Sequence, residues 1–218
     1  MRKLNILIIL IILSCNSNNE NFEKDRLFEN RSDTLYTRKW LDVDFGNGIT
    51  EELEVYISNF NDTITNQFIR RDKNNIDLFS SVYYDLEISD KDSLDFYNGK
   101  ITLHTFYDKI KLNNSKRRTF EFAYCNQTKD SINLNYIKSY NSNTIEFKFQ
   151  NYYGNRLNGK LYQMIEIDTI VNGKKKIMMV RYNVLVDNLA ETKNLFLKST
   201  QDIRERKFNN KVKLNPKN

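Results

Sequence analysis

LYQMIEIDTI at residues 161–170, VNGKKK at 171–176 and IMMVRYNVLV at 177–186 decide the fold class of this chain. Both flanks are rich in β-branched and aromatic side chains, which fit a pleated, half-buried surface. Between them stands Asn172-Gly173. A two-residue type I′ turn needs positive φ at both central positions, and Asn-Gly is the pair that meets this most easily. The stretch therefore reads as a long antiparallel hairpin.

The same grammar runs outward. Residues 53–57, 84–88, 100–110, 119–124, 132–137 and 145–149 read as strands, separated by Asn, Asp and Gly. Asn113-Asn114-Ser115 is expected to turn the strand at 100–110 back onto 119–124. The chain is mainly β and antiparallel, as a β-sandwich or a repeated β-meander. The meander is suggested by a 60-residue spacing. Asn98-Gly99-Lys100 matches Asn158-Gly159-Lys160, Asp108 matches Asp168, and Ile110 matches Ile170. Asn47-Gly48 with 53–57 resembles a degenerate earlier copy. Near the end, Leu189, Phe196 and Ile203 recur every seven residues. That suits a short C-terminal helix over 189–206, with a strand at 194–198 as the other reading.

The start of the chain is different. MRKLNILIILIILSC, residues 1–15, opens with Arg2 and Lys3, continues through an apolar run over 4–13, and ends Ile12-Leu13-Ser14-Cys15. The run is too short to span a bilayer as a helix, which takes about 20 residues. It has the charged start, apolar centre and small-residue cleavage site of an export signal. The segment resembles a bacterial lipoprotein signal, cut by signal peptidase II before a lipidated cysteine. It departs from that pattern in having Ile12 where Leu is usual and Leu13 where Ala or Ser is usual. The resemblance implies a signal peptide at 1–14, acylation of Cys15 and an envelope location. Asn16 after the cysteine implies outer-membrane delivery by the sorting rule of Gram-negative lipoproteins.

Residues 15–33 are then the lipidated cysteine and a polar tether. A flexible chain of this length reaches roughly 20–25 Å. The β domain covers 34–206, with a division into two sublobes near 126–143 as one option. Residues 207–218 read as a frayed basic tail.

Removing Arg2 and Lys3 from the 34 basic residues leaves 32 against 28 acidic ones, a net charge of +4. So mild an excess, on an exported chain, does not point to nucleic acid. Acylation of Cys15 leaves Cys125 as the only thiol, so no internal disulfide is available. Burial of apolar side chains, including 13 Tyr and 14 Phe, must hold the core.

Chemistry-bearing motifs are sparse. The lone His104 reads as a structural strand residue, and Cys125 as a strand residue with no chemical role. No zinc spacing, phosphate loop or nucleophile motif is present, and no cofactor is expected. Paired carboxylates at Asp42 and Asp44 or Glu51 and Glu52 supply an alternative, an envelope glycan-acting enzyme. Trp40, Tyr83-Tyr84 and Tyr152-Tyr153 offer faces on which sugars stack. The main reading is a non-enzymatic binding or scaffolding protein. Its expected contact surface is a basic rim of Lys116, Arg117, Arg118, Lys174, Lys175 and Lys176, joined by Arg70 and Arg71. If the two triplets share one end of a sheet, they face an anionic partner such as lipid headgroups, an acidic envelope polymer or an acidic protein.

Overall fold

Asn172 and Gly173 both have positive φ, 50° and 72°, in a computed structural model of the chain. They join β10 (Asn158–Val171) to β11 (Lys174–Asp187) in unbroken register from Val171↔Lys174 to Asn158↔Asp187. The structure describes residues 35–59, 62–200 and 213–216. The signal expected at 1–14, Cys15 and the tether expected up to 33 lie outside the described residues.

Three antiparallel sheets are present among the described residues. β7 (Lys116–Gln127) and β8 (Ile132–Tyr140) complete a four-stranded sheet in the order β11-β10-β7-β8. β5 (Tyr83–Lys91), β6 (Tyr97–His104) and β9 (Thr144–Phe149) form a three-stranded sheet in that order. These two sheets pack as a sandwich. Phe120, Phe122 and Tyr124 of β7 alternate with more polar residues, so all three point inward against Phe147 and Phe149 of β9 and Ile101 and Leu103 of β6. Phe122 meets Phe147 edge-on, with ring centroids 4.8 Å apart, one of the two favoured aromatic geometries.

The third sheet contains β1 (Tyr36–Gly46), β2 (Ile49–Ser58), β3 (Thr63–Asp72) and the short β4 (Asn75–Ile76). Asn47-Gly48 turns β1 into β2, again with both φ values positive. β12 (Glu191–Thr192) and β13 (Lys213–Pro216) pair with β1 on the edge away from β2. β3 links this sheet to the sandwich. Phe68 bridges to Val82 just before β5, and Asn66 bonds both the N–H and the C=O of Leu185 on β11. In this way a side chain completes the ladder of an edge strand.

Several expectations are corrected. The strand expected at 100–110 stops at His104. Thr105 there caps a 3-10 turn, Phe106–Lys109, in a capping box with Asp108. β6 therefore pairs with β5 and β9, not β7, and Asn113-Asn114-Ser115 turns the chain only locally through the Asn113↔Lys116 bridge. The two 60-residue copies do not share a pairing scheme, because β6 and β7 fall in different sheets while β10 and β11 are partners. The stretch 126–143 holds β8, hydrogen-bonded along β7. Of the stretch 189–206, Glu191–Thr192 is β12 and Leu195–Thr200 is a 3-10 turn; residues 201–206 lie outside the described residues. In the tail, Lys213–Pro216 is a strand on β1, where the open edge between Leu41 and Asp44 offers it hydrogen bonds.

Candidate functional site

The two basic triplets do lie at one end of the four-stranded sheet. β10 runs between β7 and β11, with Ile167 opposite Lys116, Thr169 opposite Lys176 and Val171 opposite Lys174. Pairing alone does not make all six residues available. Arg118 is opposite Ile165, which is fully buried, and shares its inward face. The Arg118 side chain is 5% exposed and donates from Nη2 to the carbonyl of Tyr107. Burial lowers its pKa, against the field of Asp108. Arg117 points outward but is occupied. Its Nη2 donates to Asp168 at 2.8 Å, and Glu166 is 3.5 Å from its Nε. That hydrogen bond holds Asp168 below the usual carboxylate range.

The rim is therefore four lysines, Lys116, Lys174, Lys175 and Lys176, and no carboxylate among the described residues is ion-paired with any of them. The expectation is corrected for Arg118 by strand phase and for Arg117 by its ion pair with Asp168. Arg118 has the parity of Phe120 and Phe122, a signal already present in RRTFEF. Arg70 and Arg71 sit on β3 in another sheet. Arg70 lies over the Phe45 ring at 4.8 Å, and Arg71 pairs with Glu52 at 3.3 Å.

A second surface is the open groove between the third sheet and β5, lined by Arg38, Trp40, Arg71, Tyr83, Asp85 and Asn188. Adjacent strand residues diverge here. Tyr84 is buried and its hydroxyl donates to the Asp187 carbonyl at 3.3 Å, while Tyr83 faces the groove. Tyr152 and Tyr153, by contrast, are both exposed, because they sit in a turn and not on a strand.

The floor of the groove is a buried polar junction that sequence reading missed. Arg38 bonds the fully buried Glu54 carboxylate, which also accepts from Asn66 at 2.6 Å. Burial opposes the Arg38 charge, but Glu54 beside it more than offsets this and the pKa lies above its ordinary value. Asp187 accepts from Asn158, Thr192 and Asn194. Burial nevertheless raises its pKa to about 6, outweighing those donors.

His104 is held between two carboxylates. Its Nδ1 is 3.1 Å from Asp108 and its Nε2 2.9 Å from Asp85, and the ring stacks on Tyr83 at 4.7 Å. The hydrogen bond to Asp108 raises its pKa; burial opposes this, and Asp85 adds to the rise. Both ring nitrogens are engaged, and the ring fills the space between the two carboxylates. Of the other acidic candidates, Glu52 pairs with Arg71, Glu51 is buried opposite Arg70, and Asp44 accepts from the Gly46 N–H in the turn. Cys125 is buried, which pushes its thiol pKa up and away from nucleophilic use.

A pH dependence follows. The charged form of His104 is favoured in the folded state. Its stabilisation is full below the ordinary imidazole pKa and is lost as pH rises through the raised value. Asp187 has the same sign but an earlier window, between 3.8 and about 6. Moving from about pH 6 to about pH 8.5 is expected to lower the unfolding free energy by about 1 kcal/mol, a modest figure because Asp85 is exposed. His104→Gln should flatten that decline. Urea unfolding of both proteins at the two pH values checks this; an equal decline in both would assign it elsewhere.

Among the described residues, no group of three or more His, Cys, Asp or Glu side chains is placed to hold a metal ion. No family model, curated protein or solved structure matches the chain.

Proposed function

We propose that the chain is an exported envelope protein anchored by acyl chains on Cys15, and that its β-rich part binds another envelope component without chemistry. The observation that supports binding over catalysis is the state of the carboxylates. Asp85 and Asp108 have His104 between them, and Glu52 and Glu54 are each paired with arginine. A glycosidase needs two carboxylates facing a sugar across roughly 5–10 Å. A charged surface whose lysines have no ion pair among the described residues is the end of the four-stranded sheet at Lys116 and Lys174–Lys176. Its chemistry suits an anionic partner, whether an acidic envelope polymer, an acidic protein or a lipid surface.

The anchor is supported by residues 1–15 alone. One acyl chain binds a membrane only marginally, and two or three on Cys15 would give stable anchoring. Cys15→Ser in the full chain is expected to leave the protein unprocessed or move it out of the membrane fraction. Membrane fractionation with mass spectrometry of the mature N-terminus checks this. An unmodified N-terminus at a position other than Cys15 would overturn the anchor.

A further inference from the structure

The β10–β11 hairpin is longer than the sheet that carries it. Its last pairing with β7 is Ile167↔Lys116, and the Asp168 N–H still donates to the Ser115 carbonyl, so beyond Asp168 and its partner Ile177 the hairpin continues as a two-stranded ribbon with no third strand among the described residues. Four residues of β10 beyond that pair extend roughly 13 Å. Ordinary solvated hairpins carry polar side chains on such an extension. Here Ile170 is 71% exposed, Ile177 54% and Met179 52%, with Val171 and Met178 also exposed.

Register sorts these residues by face. Ile170, Lys175, Ile177 and Met179 share one face; Val171, Lys174, Lys176 and Met178 share the other. A docking surface for a folded protein would be apolar on one side only. A ribbon that is apolar on both sides, with lysines on each, matches a medium that surrounds it. Between Ile167 and Met179 the only acidic residue is Asp168, and Arg117 neutralises it. The lysine stems can lie along the apolar side chains while their ammonium groups reach outward.

We propose that residues 168–178 form a finger that enters the interface of an anionic lipid bilayer. Ile170, Val171, Ile177 and Met178 displace water among the headgroups, and Lys174, Lys175 and Lys176 pair with lipid phosphates. The extension matches the depth of about 5–10 Å that interfacial elements reach. This deepens the proposed envelope function and rests on that reading, since an anchored protein keeps the finger near lipid. It adds a contact that does not use the acyl chains.

The test is flotation of residues 16–218, which lack Cys15 and the apolar run, with vesicles of phosphatidylglycerol and phosphatidylcholine or of phosphatidylcholine alone. The segment removed precedes the first strand, which begins at Tyr36. The wild-type chain should float with anionic vesicles and much less with neutral ones. Lys174→Gln/Lys175→Gln/Lys176→Gln should weaken anionic binding by on the order of 100-fold, at roughly fivefold per lysine. Ile170→Thr/Ile177→Thr/Met178→Thr should weaken it at least tenfold while an unchanged circular dichroism spectrum shows the fold intact. Failure of the wild type to float overturns the finger. Equal binding by the threonine variant overturns insertion. Neither result bears on Cys15, whose acylation is judged separately by fractionation.

Discussion

Arg38→Met is expected to lower the unfolding free energy by about 3–5 kcal/mol. The Glu54 carboxylate is fully buried, and Arg38 is its charged partner among the described residues. Without it, the side-chain donor left to Glu54 among the described residues is the amide of Asn66, and an uncompensated buried charge is costly. Glu54→Gln should lose less, about 1–3 kcal/mol, because the Arg38 side chain is 19% exposed and its charge reaches water through the groove. The double variant Arg38→Met/Glu54→Leu should be more stable than Arg38→Met alone, since a matched apolar pair removes both charges together. Urea unfolding of these three variants and of Glu54→Leu alone measures this. A loss below about 1 kcal/mol for Arg38→Met, or strict additivity in the double variant, would mean the pair does not hold the junction. The consequence reaches the groove, because Arg38 and Trp40 on β1 line it and the same junction ties β3 to β11 through Asn66.

The sheet-rich fold was legible where side chains alternate strongly, and much less so where pairing alone makes the strand. β10 and β11 announce themselves through their β-branched runs and Asn172-Gly173. β1, YTRKWLDVDFG, carries Arg38, Lys39, Asp42 and Asp44, and only Tyr36 and Val43 are buried. Its strand character comes from partners on both edges, which local composition does not reveal. The basic end was legible as a place but not as a set. KRR reads as three equivalent charges until the phase of Phe120 and Phe122 is extended backward, which puts Arg118 inside. The groove was not legible, because Arg38, Tyr83 and Asp187 are far apart in sequence and are joined only by the way β3 meets the sandwich.

Asn-Gly shows the limit most plainly. The pair occurs at 47–48, 98–99, 158–159 and 172–173. The first and last are turns with positive φ; the middle two lie inside β6 and β10. Two strong local turn signals are therefore overridden by packing. What selects glycine there is an aromatic ring lying on the strand backbone, a contact made with residues far along the chain.

Gly99→Ala and Gly159→Ala are accordingly expected to be among the most damaging conservative changes in the molecule. An added Cβ at Gly99 would stand 2.2 Å from Cζ of Phe147, and one at Gly159 would stand 2.5 Å from Cε2 of Phe122. Phe122 is fully buried and Phe147 is 5% exposed, so neither ring has free space to enter. Each substitution should cost about 3 kcal/mol, the upper part of the usual range for overpacking. Gly173→Ala is the comparison. It meets nothing within 4 Å but has φ +72°, and the left-handed conformation alone costs roughly 1–2 kcal/mol. The two in-strand glycines should then separate on rescue. Adding Phe147→Leu to Gly99→Ala should recover part of the loss, because the obstacle at Gly99 is the Phe147 ring. Adding Phe122→Leu to Gly159→Ala should recover less, because the Ala123 carbonyl oxygen also stands 2.8 Å from the new methyl and is fixed in the β7–β10 ladder. Thermal and urea unfolding of the singles and doubles give the two coupling energies. Equal rescue at both sites would show that the backbone yields at Gly159. Tolerance of alanine at both would show that the rings do not rest on the strands, and the 60-residue spacing of the two glycines would then have no packing basis.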